Sequence, residues 1–165
     1  MKKITLISFI VFLIDRITKI FVTNYFDLNI RNKVINKFFY ITNCHNTGAA
    51  FSIFSGNILF LILITFIVLY LIYKTIINKK NISNKLIFSY GLILGGILGN
   101  LFDRLFYGYV IDFLDFEIFN YNFAIFNVAD IAIVCAGIML ILFEGSEKSG
   151  NKTISNWFRW KGKIR

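Results

Sequence analysis

The chain has 165 residues, of which 57% are hydrophobic and 18% aromatic, with a mean hydropathy of +0.68 and no proline. This apolar share is far above that of an ordinary soluble domain, and the length fits one compact unit. The composition therefore excludes a typical soluble protein and predicts a single integral membrane domain over residues 1–165. The net charge of +9 could suggest nucleic-acid binding, but the basic residues flank apolar segments instead.

Four predominantly apolar segments approach the roughly 20 residues that a helix needs to cross a membrane. In chain order they are residues 4–26, 57–73, 86–102 and 127–143. The first follows two lysines, as in a secretory signal, but Asp15, Arg16 and Lys19 interrupt it and no typical cleavage site follows. We therefore expect a retained helix. The predicted fold is an all-α membrane protein with four transmembrane helices.

Two segments between the predicted spans favour other structure. In residues 27–56, "KVINKFFYITNC" is rich in β-branched and aromatic residues, which is typical of a strand. "NTGAAFSIFSGN" follows, with small residues that permit turns and close backbone approach. Residues 106–126 are aromatic and partly alternating, so we expect either further strands or a segment lying on the membrane surface. Together they predict a small extracytoplasmic β-containing part.

The basic residues indicate the orientation in the membrane. They concentrate before the first span, in the link 74–85, and in the tail 144–165. By the positive-inside bias, both termini and that link are predicted to be cytoplasmic. Arg31, Lys33 and Lys37 in the first outer segment are a partial exception. The tail, ending in "NWFRWKGKIR", is predicted to be a surface anchor on anionic lipid.

Cysteine and histidine usage argues against a metal centre. The two cysteines, Cys44 and Cys135, are too few for a disulfide framework and lie in different parts of the chain, so we do not expect them to pair. With one histidine, a zinc site of His and Cys ligands is improbable. We expect no metal and no cofactor.

Two aspartates beside apolar runs are the strongest candidates for function, because burying an ionisable group in a membrane protein is costly. Aromatic neighbours surround Asp112, which raises the pKa of its carboxyl group, whereas Asp115 and Glu117 are predicted to be rim acids. Asn127 and Asp130 have the spacing of an N-cap and a first-turn acid, so capping alone is the alternative for Asp130. Two acids sharing a proton can activate water against a carbonyl.

Asn100 and Asp103 are three residues apart and share a face at the outer end of the third span. Their alternative interpretation is plain helix termination near the membrane interface. In that case Arg104 would pair with Asp15 or with another acid.

Five blocks of the sequence resemble the signal peptidase II family of bacteria. They are "DRITK" (15–19), "NTGAAFS" (46–52), "GGILGNLFDR" (95–104), "GYVIDF" (108–113) and "FNVADIAIVCAG" (126–137). The blocks occur in the family's order and cover almost the whole chain. The resemblance implies an aspartic endopeptidase of the cytoplasmic membrane. Such an enzyme removes signal peptides from prolipoproteins, cutting on the N-terminal side of a diacylglyceryl-modified cysteine.

The resemblance also implies roles for individual residues, with Asp112 and Asp130 as the catalytic pair. Residues that support the pair or hold the substrate backbone would be Asn46, Gly48, Asn100 and Asn127. Structural polar contacts would be Asp15, Asp103 and Arg104. The chain departs from the family at Ile131, commonly Ser or Thr, and at Ala124, commonly Pro. These departures affect a secondary hydrogen bond and the rigidity of the segment that leads to "FN" (126–127), and neither of them removes a catalytic group.

The implied partners are lipid-modified prolipoproteins and membrane lipid, with the enzyme as a monomer and no nucleic acid. Because the substrate is embedded in the membrane, we expect a site near the outer leaflet that opens sideways to lipid. Segments 27–56 and 106–126 would clamp the substrate, and 106–126 would be the more mobile.

Two other classes remain open from the residues. A small transporter or proton/cation relay would also use Asp15, Asp112 and Asp130. Against it, the acids gather toward one membrane face, and the second and third spans carry no charge. A non-catalytic scaffold would not require the polar blocks.

Overall fold

The computed structural model describes residues 1–49, 53–79 and 81–161, with side chains up to residue 144. Its helices are α1 (Lys2–Tyr25), α2 (Ile58–Ile77), α3 (Asn84–Phe106) and α4 (Val128–Lys161). The four predicted apolar segments are therefore confirmed as helices. α4 continues through much of the predicted tail 144–165; residues 162–165 and the tail side chains lie outside the described part, so the anchor remains a prediction.

In the described residues, four strands form one antiparallel sheet in the order β1-β2-β3-β4. They are β1 (Arg31–Ile35), β2 (Phe39–Asn46), β3 (Val110–Ile118) and β4 (Tyr121–Asn122). Both segments between the predicted spans thus contain strands, as expected. The β2–β3 register pairs Cys44 with Asp112 and Asn46 with Val110. This pairing brings the "NTGAA" block beside the "GYVIDF" block, although 57 residues separate the two blocks in the sequence.

α3 lies at the centre of the helix bundle and packs against the other three helices. Its glycines allow the close approach. A Cβ on Gly95 would lie 2.6 Å from the backbone oxygen of Ser8 in α1, and a Cβ on Gly96 would lie 2.5 Å from that of Ala129 in α4. Because interiors are close-packed, these glycines set how near α1 and α4 come to α3.

The outer surface of the bundle is apolar. Large hydrophobic side chains are exposed along all four helices, and few residues of α2 are buried. Among the described residues, α2 and α3 are long and apolar enough to cross a membrane. In α1 the charged residues Asp15, Arg16 and Lys19 are instead buried inside the bundle. An apolar exterior with charges inside is the arrangement expected of a protein surrounded by lipid.

Candidate active site

The two predicted catalytic aspartates meet around Asn127. Asp112 comes from β3, and Asp130 from the first turn of α4. The Asn127 side-chain Nδ2 donates to Asp112 Oδ1 at 2.7 Å, while its backbone N donates to Asp130 Oδ2 at 3.1 Å. Asp130 N donates back to Asn127 Oδ1 at 2.9 Å. The predicted capping box is confirmed, and the same residue joins both carboxylates.

Asp112 is 3% exposed and receives hydrogen bonds from two amide groups. Besides the bond from Asn127, Asn46 Nδ2 donates to its Oδ2 at 2.9 Å. Burial raises the pKa of Asp112 to about 7, with a further contribution from the negative charge of Asp130. The amide hydrogen bonds and the Lys19 charge oppose this rise but do not cancel it. Asp112 can therefore gain or lose a proton near neutral pH.

Asp130 is held by Asn100, whose Nδ2 donates to its Oδ1 at 2.7 Å. The other end of that amide is fixed as well. Asn100 Oδ1 accepts from Lys19 Nζ at 3.0 Å and from Asn127 Nδ2 at 3.1 Å. With both donors on its oxygen, the Asn100 amide can only present its NH₂ group to Asp130.

Four charged side chains form a second polar group inside the bundle, which we call the ionic cluster: Asp15, Arg16, Lys19 and Asp103. Lys19 Nζ lies 2.9 Å from Asp15 Oδ2 and 2.8 Å from Asp103 Oδ2, and Arg16 Nη2 lies 2.6 Å from Asp103 Oδ1. Asp15, Lys19 and Asp103 are fully buried. The expected role of Asp15 and Asp103 as structural polar contacts agrees with this geometry.

The ionic cluster also fixes the backbone next to each catalytic candidate. Asp15 Oδ1 accepts from the N–H of Ala129, the residue before Asp130, at 3.0 Å. Asp103 Oδ2 accepts from the N–H of Ile111, the residue before Asp112, at 3.2 Å. Lys19 joins these two acids and Asn100. From the sequence, Lys19 was placed in the "DRITK" block and noted as an interruption of the first span, but no role was assigned to it. Its i,i+4 spacing from Asp15 indicates an ion pair.

Arg104 is not paired with Asp15, the partner considered from the sequence. Its Nη2 donates to the backbone oxygen of Gly48 at 3.0 Å, and Gly48 N donates to Asn46 Oδ1 at 2.9 Å. Arg104 therefore connects the C-terminal end of α3 to the turn that carries Asn46. Asn46 is in turn one of the two donors to Asp112, so this contact helps to hold that amide in place.

The prediction that Asp115 is a rim acid is wrong, since it is 5% exposed. Arg31 of β1 binds it through Nε at 2.7 Å and Nη2 at 3.0 Å, and Thr42 Oγ1 donates to it at 2.8 Å. The bidentate guanidinium compensates the buried carboxylate. Glu117 also binds Arg31, at 2.9 Å, and is less buried. Asp115 lies on the other face of β3 from Asp112, because alternate residues of a strand face opposite ways.

Asp112, Asp130, Asn46, Asn100 and Arg104 line one cavity of about 510 Å³. Its other walls are mostly apolar and come from α4 and the segment before it. Ala124 and Ile131, the two departures from the family pattern, both line this cavity. Residues 50–52 of the "NTGAAFS" block lie outside the described part. Within the described part, no group of three His, Cys, Asp or Glu side chains is placed to hold a metal ion, and Cys44 and Cys135 are unpaired.

Comparison with known proteins gives consistent matches over most of the chain. The family model described as signal peptidase (SPase) II matches residues 7–144. The lipoprotein signal peptidase of Francisella tularensis subsp. novicida is 40% identical over 146 residues, covering 84% of this chain and 89% of that protein. That of Anoxybacillus flavithermus is 36% identical over 151 residues, covering 92% and 90%.

Two solved structures share the fold. A bacterial membrane enzyme determined at 2.3 Å superimposes with a TM-score of 0.82 at 32% identity, covering 91% of this chain and 92% of that one. A second, determined at 1.9 Å, gives a TM-score of 0.77 at 33% identity, covering 86% and 92%.

Proposed function

The chain belongs to the signal peptidase II family and is a protease that acts on lipoprotein precursors, and from that premise we propose that Asp112 and Asp130 are its catalytic pair. The proposed reaction is hydrolysis of the peptide bond on the N-terminal side of a diacylglyceryl-modified cysteine. The observation that carries this assignment is the position of Asn127, which holds one oxygen of each carboxylate at the wall of a single cavity.

The environment of the pair suits acid–base chemistry. Among the described residues, no cation lies within ion-pair distance of Asp112 or Asp130, and their direct partners are amide groups and backbone N–H groups. A cation at ion-pair distance would favour the charged form of a carboxylate. Without one, the two acids can share a single proton.

The mechanism assigns different first roles to the two acids. Asp130 lies at the N-terminus of α4, where the helix dipole favours a negative charge, so it accepts the proton of the attacking water. Asp112, whose pKa of about 7 keeps a protonated fraction at neutral pH, donates its proton to the carbonyl oxygen of the scissile bond. When the tetrahedral intermediate collapses, the C–N bond breaks and Asp130 gives its proton to the leaving amine. Asp112 takes back a proton from a hydroxyl group of the intermediate as the C=O bond re-forms, so both acids return to their starting states.

The proposed membrane placement has four spanning helices in the bacterial cytoplasmic membrane, with both termini cytoplasmic. α2 and α3 support it by their length and composition. α1 and α4 support it because they expose apolar side chains such as Ile17, Phe21 and Ile141. α1 also buries the three charged residues of its middle part, Asp15, Arg16 and Lys19. The sheet and the catalytic pair would then lie at the extracytoplasmic end, within reach of membrane lipid and precursor. The protein would act as a monomer.

We do not propose a proton or cation relay as a second function. It would require Asp15 to exchange charge with a path through the bundle. Asp15 is fully buried and lies 2.9 Å from Lys19 Nζ, so it is sealed within the ionic cluster.

The test is cleavage of a diacylglyceryl-modified prolipoprotein by the purified protein in detergent. Asp112→Asn and Asp130→Asn are each expected to reduce kcat by roughly 10³-fold or more, because each removes a proton donor or acceptor. Both variants should keep a thermal unfolding midpoint close to that of the wild type, since Asn preserves the shape of Asp. Asp27→Asn, at an exposed position, is the matched control. Full activity in either active-site variant overturns the assignment.

A further inference from the structure

A second cavity, of about 550 Å³, adjoins the one already described. We call the first the apolar cavity and the second the polar cavity. The two share Asn46, Asp112, Ala124 and Ile125, so they meet at Asp112. Beyond that common wall they differ. The apolar cavity continues along Ile131, Ile133 and Val134 of α4, whereas the polar cavity continues along His45, Thr47, Ser55 and Asn122.

We propose that the polar cavity binds the substrate residues that follow the scissile bond, as an extended peptide with polar, uncharged side chains. This inference rests on the proposed function. An endopeptidase must hold the chain on both sides of the bond it cuts, because the reacting carbonyl has to be kept in position. In a precursor that is cut at a membrane surface, the residues on the N-terminal side of the bond are apolar, whereas those on the C-terminal side extend into water. The change in wall chemistry at Asp112 matches that change in the substrate.

The walls of the polar cavity suit a neutral peptide. The hydroxyl oxygens of Thr47 and Ser55 are 2.7 Å apart and can donate to or accept from a peptide group. His45 is stacked on Tyr109 with ring centroids 3.7 Å apart, so the imidazole is held in place. Burial lowers the pKa of His45, which leaves it uncharged at neutral pH. Among the described lining residues, the one ionised group is therefore Asp112 when it has lost its proton.

The chain contains a matched pair of reporters for the two cavities. Its two cysteines are Cys44, which lines the polar cavity, and Cys135, which lines the apolar cavity. Both are free thiols. Burial raises the pKa of the Cys44 thiol, which slows its reaction with a labelling reagent. The labelling rate of each cysteine is therefore compared with and without peptide, so that the difference in intrinsic reactivity between the two thiols does not affect the result.

The experiment measures the rate at which methyl methanethiosulfonate labels each thiol in detergent. Asp130→Asn prevents cleavage, and Cys135→Ser or Cys44→Ser leaves one thiol at a time. Two diacylglyceryl-modified peptides are compared. The extended peptide continues for several Ser and Asn residues beyond the modified cysteine, and the truncated peptide ends at that cysteine as an amide. At ten times its Kd a peptide leaves about a tenth of the protein free, so a shielded thiol is labelled about tenfold more slowly.

We expect the extended peptide to slow the labelling of both thiols and the truncated peptide to slow that of Cys135 alone. The inference is overturned if Cys44 is labelled at the same rate with both peptides, whether both shield it or neither does. Cleavage of the extended peptide by the wild-type chain tests the proposed function separately. A wild-type chain that fails to cleave would sink that function, while an unchanged Cys44 rate beside normal cleavage would sink only the assignment of the polar cavity.

Discussion

Two pairs of aspartates in the molecule, Asp15 with Asp103 and Asp112 with Asp130, have polar partners of different kinds. Asp15 and Asp103 are neutralised by Lys19 and Arg16 at distances of 2.6 to 2.9 Å and are fully buried. Asp112 and Asp130 are held by asparagine amides and backbone N–H groups at the wall of a cavity. The acids of the first pair are bound to cations inside the bundle. The acids of the second pair line a cavity and, among the described residues, have no cation at ion-pair distance. Access to a cavity and the lack of a cationic partner together distinguish the reactive acids from the structural ones.

The two pairs are also mechanically connected. Each acid of the ionic cluster accepts from the backbone N–H of the residue that precedes one member of the catalytic pair. Asn100 adds a third connection, because it bonds to Lys19 on one side and to Asp130 on the other. Through these three hydrogen-bonded connections, the ionic cluster holds the catalytic pair in position.

Removing Lys19, the fully buried cation of the ionic cluster, should produce the largest loss of stability. In Lys19→Met, Asp15 and Asp103 lose their ion pairs with Nζ while remaining buried, although Arg16 stays close to both. Breaking a buried ion pair on one side costs about 3–5 kcal/mol, so the thermal unfolding midpoint in detergent should fall sharply. Lys33→Met, at an exposed position of β1, should leave it unchanged. Equal midpoints for Lys19→Met and the wild type would show that the ionic cluster does not support the fold.

Removing the amide that links the two regions should affect catalysis more than stability. Asn100→Ala takes away the donor to Asp130 Oδ1 and leaves that carboxylate free to turn. A misplacement of about 1 Å can cost roughly 10²-fold in rate, so kcat should fall by that order while KM changes little. Asn36→Ala, in an exposed turn, is the control. A normal kcat for Asn100→Ala would mean that Asp130 does not depend on this contact.

A smaller effect is expected from crowding the ionic cluster. A Cβ on Gly99 would lie 2.5 Å from Asp15 Oδ2, whereas a Cβ on Gly137 meets nothing within 4 Å. Gly99→Ala should destabilise by about 1–3 kcal/mol, as expected for overpacking. Gly137→Ala should be neutral or slightly stabilising in its helix. Similar unfolding midpoints for the two variants would show that α1 can move away from α3 without cost.

Features with local signals could be predicted from the sequence. The four apolar runs predicted the helices, and the spacing of Asn127 and Asp130 predicted the capping box, because its partners are three residues apart. The proximity of Asp112 and Asp130, in contrast, has no local signal in the sequence. An 18-residue separation only permits that contact, and the family resemblance, not the physics of the segment, suggested it.

Features that depend on distant partners were missed or misjudged. Asp115 was taken for a rim acid because its guanidinium partner, Arg31, is 84 residues away and reaches it only through the folded sheet. Lys19 was interpreted as an interruption of an apolar helix, because its partners Asn100 and Asp103 lie on α3 and are distant in the sequence. A charged residue inside a predicted span is better interpreted as a member of an ion pair or hydrogen bond whose partner lies on another segment of the chain.

The central claim is that Asp112 carries an exchangeable proton near neutral pH. Infrared titration of the protonated carboxyl absorption tests it directly. Because the pKa of Asp112 is raised to about 7, the absorption should be present at lower pH and disappear as the pH rises through about 7. It should be missing from Asp112→Asn and present in Asp115→Asn. An absorption that is absent below pH 7, or that persists in Asp112→Asn, would contradict the account.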